Sequence, residues 1–131
     1  MARRKSRTLT DVELEFMQII WGNGEVSTED IQQALLKQDR DLADGSIRKV
    51  LSILVEKGYV VRRREGRGFL YRALVEKTQA NRNLVTDLLK RAFDGSAALM
   101  VASLVDSRNI KKKDLNAIKK LLDAKNKESK Q

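Results

Sequence analysis

Residues 59–73 run Tyr59-Val60-Val61-Arg62-Arg63-Arg64, Glu65-Gly66-Arg67-Gly68 and Phe69-Leu70-Tyr71-Arg72-Ala73, and their reading decides the fold. The outer two blocks are rich in β-branched and aromatic residues, which suit the pleated, half-buried surface of a strand. The block between them carries two glycines and reads as a hairpin turn. Upstream of Tyr59 the apolar residues recur at helical spacing, so the period changes from 3.6 to 2 at this point. A hairpin that closes a run of three short helices gives the order of a winged helix-turn-helix. The expected fold class is mainly α with a small β-hairpin wing, followed by a C-terminal helical region.

Working back from the hairpin, Ile47, Val50, Leu51, Leu54 and Val55 follow the i, i+3, i+4, i+7 rule, and Gly58 closes that helix. Asp44 is the expected N-cap, with Ala43 as the alternative. From Gly45 to Lys57 the helix would be roughly 20 Å long at 1.5 Å per residue, a length suited to placing its first turns in a DNA major groove. The preceding helix opens at Ser27, with acids in its first turn against the helix dipole. Val26 and Ile31 form its hydrophobic staple, Ile31, Ala34 and Leu35 its buried face, and the polar stretch Gln38–Asp41 its end. The first helix has Thr10 as N-cap and Glu13 three residues later, a capping box, with Leu9 and Leu14 as staple. Leu14, Met17, Ile20 and Trp21 make its apolar stripe, and Gly22-Asn23-Gly24 stops it.

Everything after Val75 reads as helix. Leu84, Val85, Leu88, Leu89, Ala92 and Phe93 share one face up to Asp94-Gly95; Leu99, Met100, Leu104 and Val105 mark a second helix; Leu115, Ile118, Leu121 and Leu122 mark a third. Lys111 or Lys113 would stand at the N-cap of that last helix, so its start is expected to fray. These stripes are too extensive to be covered by three helices resting on so small a domain, whereas a second copy would bury them. Leu88, Leu99, Met100, Leu104, Leu115, Ile118 and Leu122 are the expected dimerisation residues.

The 131 residues fit one domain, or one compact module with an extension, and divide into an arm at 1–8, a winged helix-turn-helix at 9–74 and a helical dimerisation region with a basic tail at 75–131. Lys and Arg number 27 against 18 Asp and Glu, a net charge of +9 that points to a polyanionic partner. The charge is sorted along the chain. Residues 11–44 hold nine acids against Lys37 and Arg40, whereas residues 45–72 hold eight bases against Glu56 and Glu65. An acidic supporting segment followed by a basic one suits a helical DNA-reading unit.

Cys and His are both absent, which removes disulfides, thiolate or imidazole metal ligands, the cysteine nucleophile and the usual general base. Neither a phosphate-loop signature nor a catalytic constellation stands out. The expectation is no enzyme, no cofactor and no metal. No apolar run approaches the ~18–20 residues of a membrane span, and no apolar stretch follows the basic residues Arg3–Arg7 to make a secretory signal. A cytoplasmic protein without membrane insertion is expected.

The DNA-facing residues are expected on the third helix and the wing. Opposite its apolar stripe the third helix carries Ser46, Arg48, Lys49 and Ser52, and Arg and Lys side chains suit O6 and N7 of guanine. Arg67, between glycines at the wing tip, suits phosphates or a narrow A·T-rich minor groove. Arg62, Arg63 and Arg64 alternate between strand faces and cannot all touch one surface; one or two of them are expected to pair phosphates, Arg63 foremost. Arg3–Arg7 would either add sequence-independent phosphate contacts or form a disordered tail. The rival reading is a winged helix that binds a protein partner, and steep salt dependence of nucleic-acid binding separates the two.

Leu9-Thr10-Asp11-Val12-Glu13, Ile20-Trp21, Val26-Ser27, Ser46-Ile47-Arg48-Lys49-Val50-Leu51, Leu54-Val55-Glu56-Lys57-Gly58 and Phe93-Asp94-Gly95-Ser96 together resemble the penicillinase and methicillin-resistance repressors, as does the wing Glu65-Gly66-Arg67-Gly68-Phe69-Leu70-Tyr71. The resemblance covers residues 9–122. It implies a cytoplasmic homodimer whose winged helix reads an inverted-repeat operator in double-stranded DNA and whose C-terminal helices dimerise. It also implies a regulatory protease, because many members are inactivated by a sensor-protease pathway that cuts an Asn-Phe bond. Ser103-Leu104 stands at that place here, a departure from the pattern. The copper-responsive branch carries a C-terminal cysteine cluster that this chain lacks. At Ala43 the resembling proteins commonly carry a capping Ser.

Overall fold

A computed structural model describes residues 8–129. The expected basic arm, apart from Thr8, and the last two residues of the tail lie outside the described residues. The element order is α1 (Asp11–Asn23), β1 (Glu25–Val26), α2 (Thr28–Leu36), α3 (Asp44–Lys57), β2 (Val60–Glu65), β3 (Gly68–Ala73), α4 (Lys77–Ala92), α5 (Ala97–Asp106) and α6 (Lys112–Ser129). The chain divides into two compact units, Met1–Asp87 and Leu88–Gln131.

Local chemistry sets the helix ends of the first unit. At α1 the Thr10 hydroxyl accepts from the Glu13 N–H, and the Glu13 carboxylate accepts from the Thr10 N–H at 3.0 Å. Ser27 and Asp30 form the same reciprocal box at α2. Each box satisfies two backbone donors that a helix start otherwise leaves unpaired. At its other end α3 stops at Gly58, whose left-handed φ of 82° suits a residue without Cβ, and the Tyr59 N–H closes back on the Leu54 carbonyl at 3.0 Å.

At the start of α3 the alternative holds in place of the preferred cap. Ala43, not Asp44, is the N-cap; its backbone is extended and no side chain caps the helix there. Asp44 lies within the first turn and its carboxylate turns to Arg48.

The fully buried side chains Phe16, Met17 and Ile20 of α1 meet Ile31 and Leu35 of α2, and Ile47, Leu51 and Leu54 of α3. Tyr59, Val60 and Tyr71 close this core from the sheet side. Phe16 was missed in the α1 stripe, whereas Leu14 and Trp21 are half-buried at the core's margin. The Trp21 indole N–H donates to the Val75 carbonyl at 3.0 Å, and Ala80 of α4 is fully buried in the same core. The sheet has three strands in the order β1-β3-β2, all antiparallel neighbours, so the wing hairpin has a short third partner that period counting did not reveal.

A buried ion pair joins α1 to α3. The Lys57 ammonium, at the end of α3, donates to Glu13 Oε1 at 2.6 Å and to the Thr8 carbonyl at 3.1 Å. Both side chains are only 7% exposed. Glu13 thus caps α1 and anchors the far end of α3 to it. A second clasp, Arg40 to both carboxylate oxygens of Glu15 at 2.8 and 2.9 Å, ties the α2–α3 connection to α1. Glu15 raises the Arg40 pKa through that hydrogen bond and by direct charge attraction.

Within the second unit, α5 is capped by the Ser96 hydroxyl, and the Lys111 N–H donates to the Asp114 carboxylate at 3.3 Å just before α6. That carboxylate supplies a cap the sequence reading lacked when it expected a frayed start. Neither α5 nor α6 buries a single residue completely.

Candidate nucleic-acid interface

The recognition side of α3 follows from helix geometry. Ile47, Leu51 and Leu54 point into the core, so Ser46, Arg48, Lys49 and Ser52 are left exposed. At about 100° per residue, Arg48 and Ser52 share one flank, Lys49 lies near the outermost line, and Ser46 falls on the opposite flank.

The flank carrying Arg48 and Ser52 faces the wing. Arg48, Ser52, Arg62 and Arg67 line one hollow of about 220 Å³, with Thr28 from the first turn of α2 and the rings of Phe69 and Tyr71. Two sequence-expected residues of α3 and one of the wing therefore converge. Ser46 and Lys49 lie outside the hollow on the same helix.

Strand alternation decides which wing arginine joins them. Arg62 pairs across the ladder with buried Tyr71 and Arg64 with Phe69, so Arg62 and Arg64 share the core-side face. The Arg62 guanidinium stacks 4.6 Å from the Phe69 ring centre and that of Arg64 lies 5.8 Å away. Cation–π contacts of this kind hold a long, otherwise mobile side chain in place.

Arg63 belongs to the other face. Its guanidinium donates twice to Glu25 of β1, at 2.8 and 3.0 Å, and once to Glu65 at 2.6 Å. The hydrogen bonds that Arg63 donates to Glu25 and Glu65, then the charges of those carboxylates, raise the Arg63 pKa. In return the Arg63 hydrogen bond holds the Glu25 carboxyl below its ordinary range, helped by the charges of Arg63 and Arg72. Arg63 thus braces β2 to β1 across β3, away from the hollow. Arg62, not Arg63, is the arginine of β2 that lines the hollow. The signal was available: a hairpin whose inward residues include Val60 on β2 and Tyr71 on β3 must turn Arg62, not Arg63, to that side.

The wing tip is short. Glu65 pairs with Gly68, leaving a two-residue connection in which Gly66 takes φ 59° and Arg67 follows, exposed. Glycine at the first loop position lets the turn match the strand twist. No group of His, Cys, Asp or Glu able to hold a metal occurs among the described residues, and no helix there is long and apolar enough to cross a membrane.

Residues 9–124 match the family described as penicillinase repressor. The chain is similar to an uncharacterized 16.5 kDa protein of Latilactobacillus sakei, with 32% identity covering 89% of this chain and 80% of that one. It is 23% identical to the methicillin resistance regulatory protein MecI of Staphylococcus aureus, over 92% of this chain and 98% of that protein. The penicillinase repressor of Bacillus licheniformis is also 23% identical, over 92% of this chain and 93% of its own length. Among solved structures, the DNA binding domain of the repressor BlaI superposes with a TM-score of 0.50 at 27% identity, covering 59% of this chain and 93% of that one.

Proposed function

Because the chain belongs to the penicillinase repressor family, we propose that it is a homodimeric repressor that binds an inverted-repeat operator with α3 in the major groove and the wing on the flanking backbone. The observation that carries this reading is the meeting of Arg48 and Ser52 of α3 with Arg62 and Arg67 of the wing around one hollow. Ser46 and Lys49 extend the contact along α3. Arg62 takes the phosphate role, and Arg63 keeps the wing attached to β1.

The second copy is argued from the C-terminal helices. Leu99 is 56% exposed, Leu104 51%, Leu121 69% and Leu122 55%, with Leu88 and Leu115 also exposed and Met100 and Ile118 only half-covered. Each such leucine gains roughly 1.5–3 kcal/mol on full burial. A second copy presents the same surfaces, and a twofold pair matches an inverted repeat. A regulatory protease acting between Ser103 and Leu104 would sever α5 and part Leu104 from Leu99, removing one side of that contact.

The test is selection and footprinting on the promoter of the protein's own gene, followed by a salt titration. With roughly eight phosphates contacted per dimer, log K should fall against log salt with a slope of about −7, and operator should be bound far tighter than random duplex. Salt-insensitive binding without sequence preference would overturn the reading in favour of a protein-binding winged helix.

Wing roles separate by mutation. Arg62→Ala should weaken binding uniformly across sequences and make the salt slope shallower by about 1. Arg63→Ala should leave the slope where it was, because its guanidinium is committed to Glu25 and Glu65. Equal slope changes in the two variants would refute this division.

A further inference from the structure

Asp44 has no capping duty, yet it stands in the first turn of the helix that presents Arg48. Its Oδ2 lies 2.7 Å from Arg48 Nε, and both side chains remain largely in solvent, 58% and 68% exposed. Long side chains in a helix lean back over the preceding turn, so Arg48 lies above the N-terminal turn of α3. The proposed function puts α3 in the major groove, where its first turns would enter, and the inference rests on that reading.

The atom that Asp44 engages matters. An arginine offers five N–H donors in a rigid planar fork. With Nε committed to Asp44, the donors left over are those of the two terminal Nη groups, a pair that matches the O6 and N7 acceptors on the major-groove edge of guanine. The carboxylate also repels phosphate oxygens and competes with them for the guanidinium. An Arg48 held by Asp44 is therefore less available for sequence-blind backbone contact.

We propose that Asp44 and Arg48 act together as one base-reading pair: Arg48 donates end-on to a guanine in each half-site, and Asp44 is the positioning residue that sets this preference. Asp44 then lowers affinity for arbitrary DNA while raising discrimination. A residue that merely stabilised the helix would alter all sequences alike.

The experiment is selection from a randomised duplex library with the full-length wild type, Arg48→Ala, Asp44→Asn and Asp44→Glu. The wild type should enrich an inverted repeat containing one guanine per half-site that Arg48→Ala no longer selects. Asp44→Asn should reduce preference for that guanine by about tenfold, within the range a bidentate pair commands. Its affinity for random duplex should hold or rise, and the other positions of the motif should survive. Asp44→Glu, which still reaches a partner four residues on, should restore the preference. An Asp44→Asn variant with unchanged choice at that position, or with losses spread evenly over all sequences, overturns the pairing while leaving the operator reading intact. A wild type that enriches no motif overturns both.

Discussion

Replacing Lys57 with alanine is expected to lower the unfolding free energy of the first unit by about 3–5 kcal/mol, the cost of leaving a buried charge without its partner. A domain of this size carries about 5–15 kcal/mol in all, so the variant should unfold at a much lower urea concentration or be partly unfolded in buffer. The reason is geometric. Lys57 and Glu13 are both 7% exposed and meet at 2.6 Å, so neither has water to replace the other. The pair itself adds little net stability over a well-packed apolar substitute. Joining Lys57→Met to Glu13→Gln should therefore recover most of the loss, since the amide oxygen still accepts from the Thr10 N–H. Urea unfolding of the three proteins by circular dichroism checks this. A Lys57→Ala midpoint within experimental error of the wild type would show that the pair is open to solvent.

The second large effect concerns assembly. Leu104→Asp should leave the protein monomeric where the wild type forms the proposed dimer, because a carboxylate desolvated against a second apolar surface costs several kcal/mol. In the single chain Leu104 is already half-exposed, so the substitution should leave the fold of each copy unchanged. Sedimentation would report the loss of mass. Binding to a full inverted repeat should fall by about 10²–10⁴, the advantage of making the second half-site contact intramolecular. Binding to an isolated half-site should stay where it was. If half-site and full-site affinities fell equally, the damage would lie in the fold and not in pairing.

Much of the fold was legible because it is written locally. Thr10 with Glu13, Ser27 as helix start, Gly58 as helix end and the period change at Tyr59 each need only a few neighbouring residues to be read. The strand Glu25–Val26 escaped because two residues cannot display an alternation, and its partner Arg72-Tyr71 lies far along the chain. Asp44 misled for a related reason: local preference favours Asp as a cap, but its carboxylate turned to Arg48. The candidate interface was legible as a set of exposed bases on α3 and the wing. That Arg62 turns to the hollow could be read from its alternation with Val60, but that Arg63 is claimed by Glu25 could not, the two lying 38 residues apart. Lys57 shows the same limit, its partner Glu13 lying 44 residues away.

The two-residue connection at the wing tip has a mechanical consequence. Arg67 is anchored by a ladder bonded from Glu65–Gly68 back to Val60–Ala73, so the loop itself has no slack with which to follow the DNA. Its reach is that of one side chain. If the wing meets DNA as proposed, it would work as a calliper, gripping where the phosphate walls stand at the spacing it was cut for and slipping where they stand wider. Base pairs that no side chain touches, through the groove width they impose, would then be sorted as well.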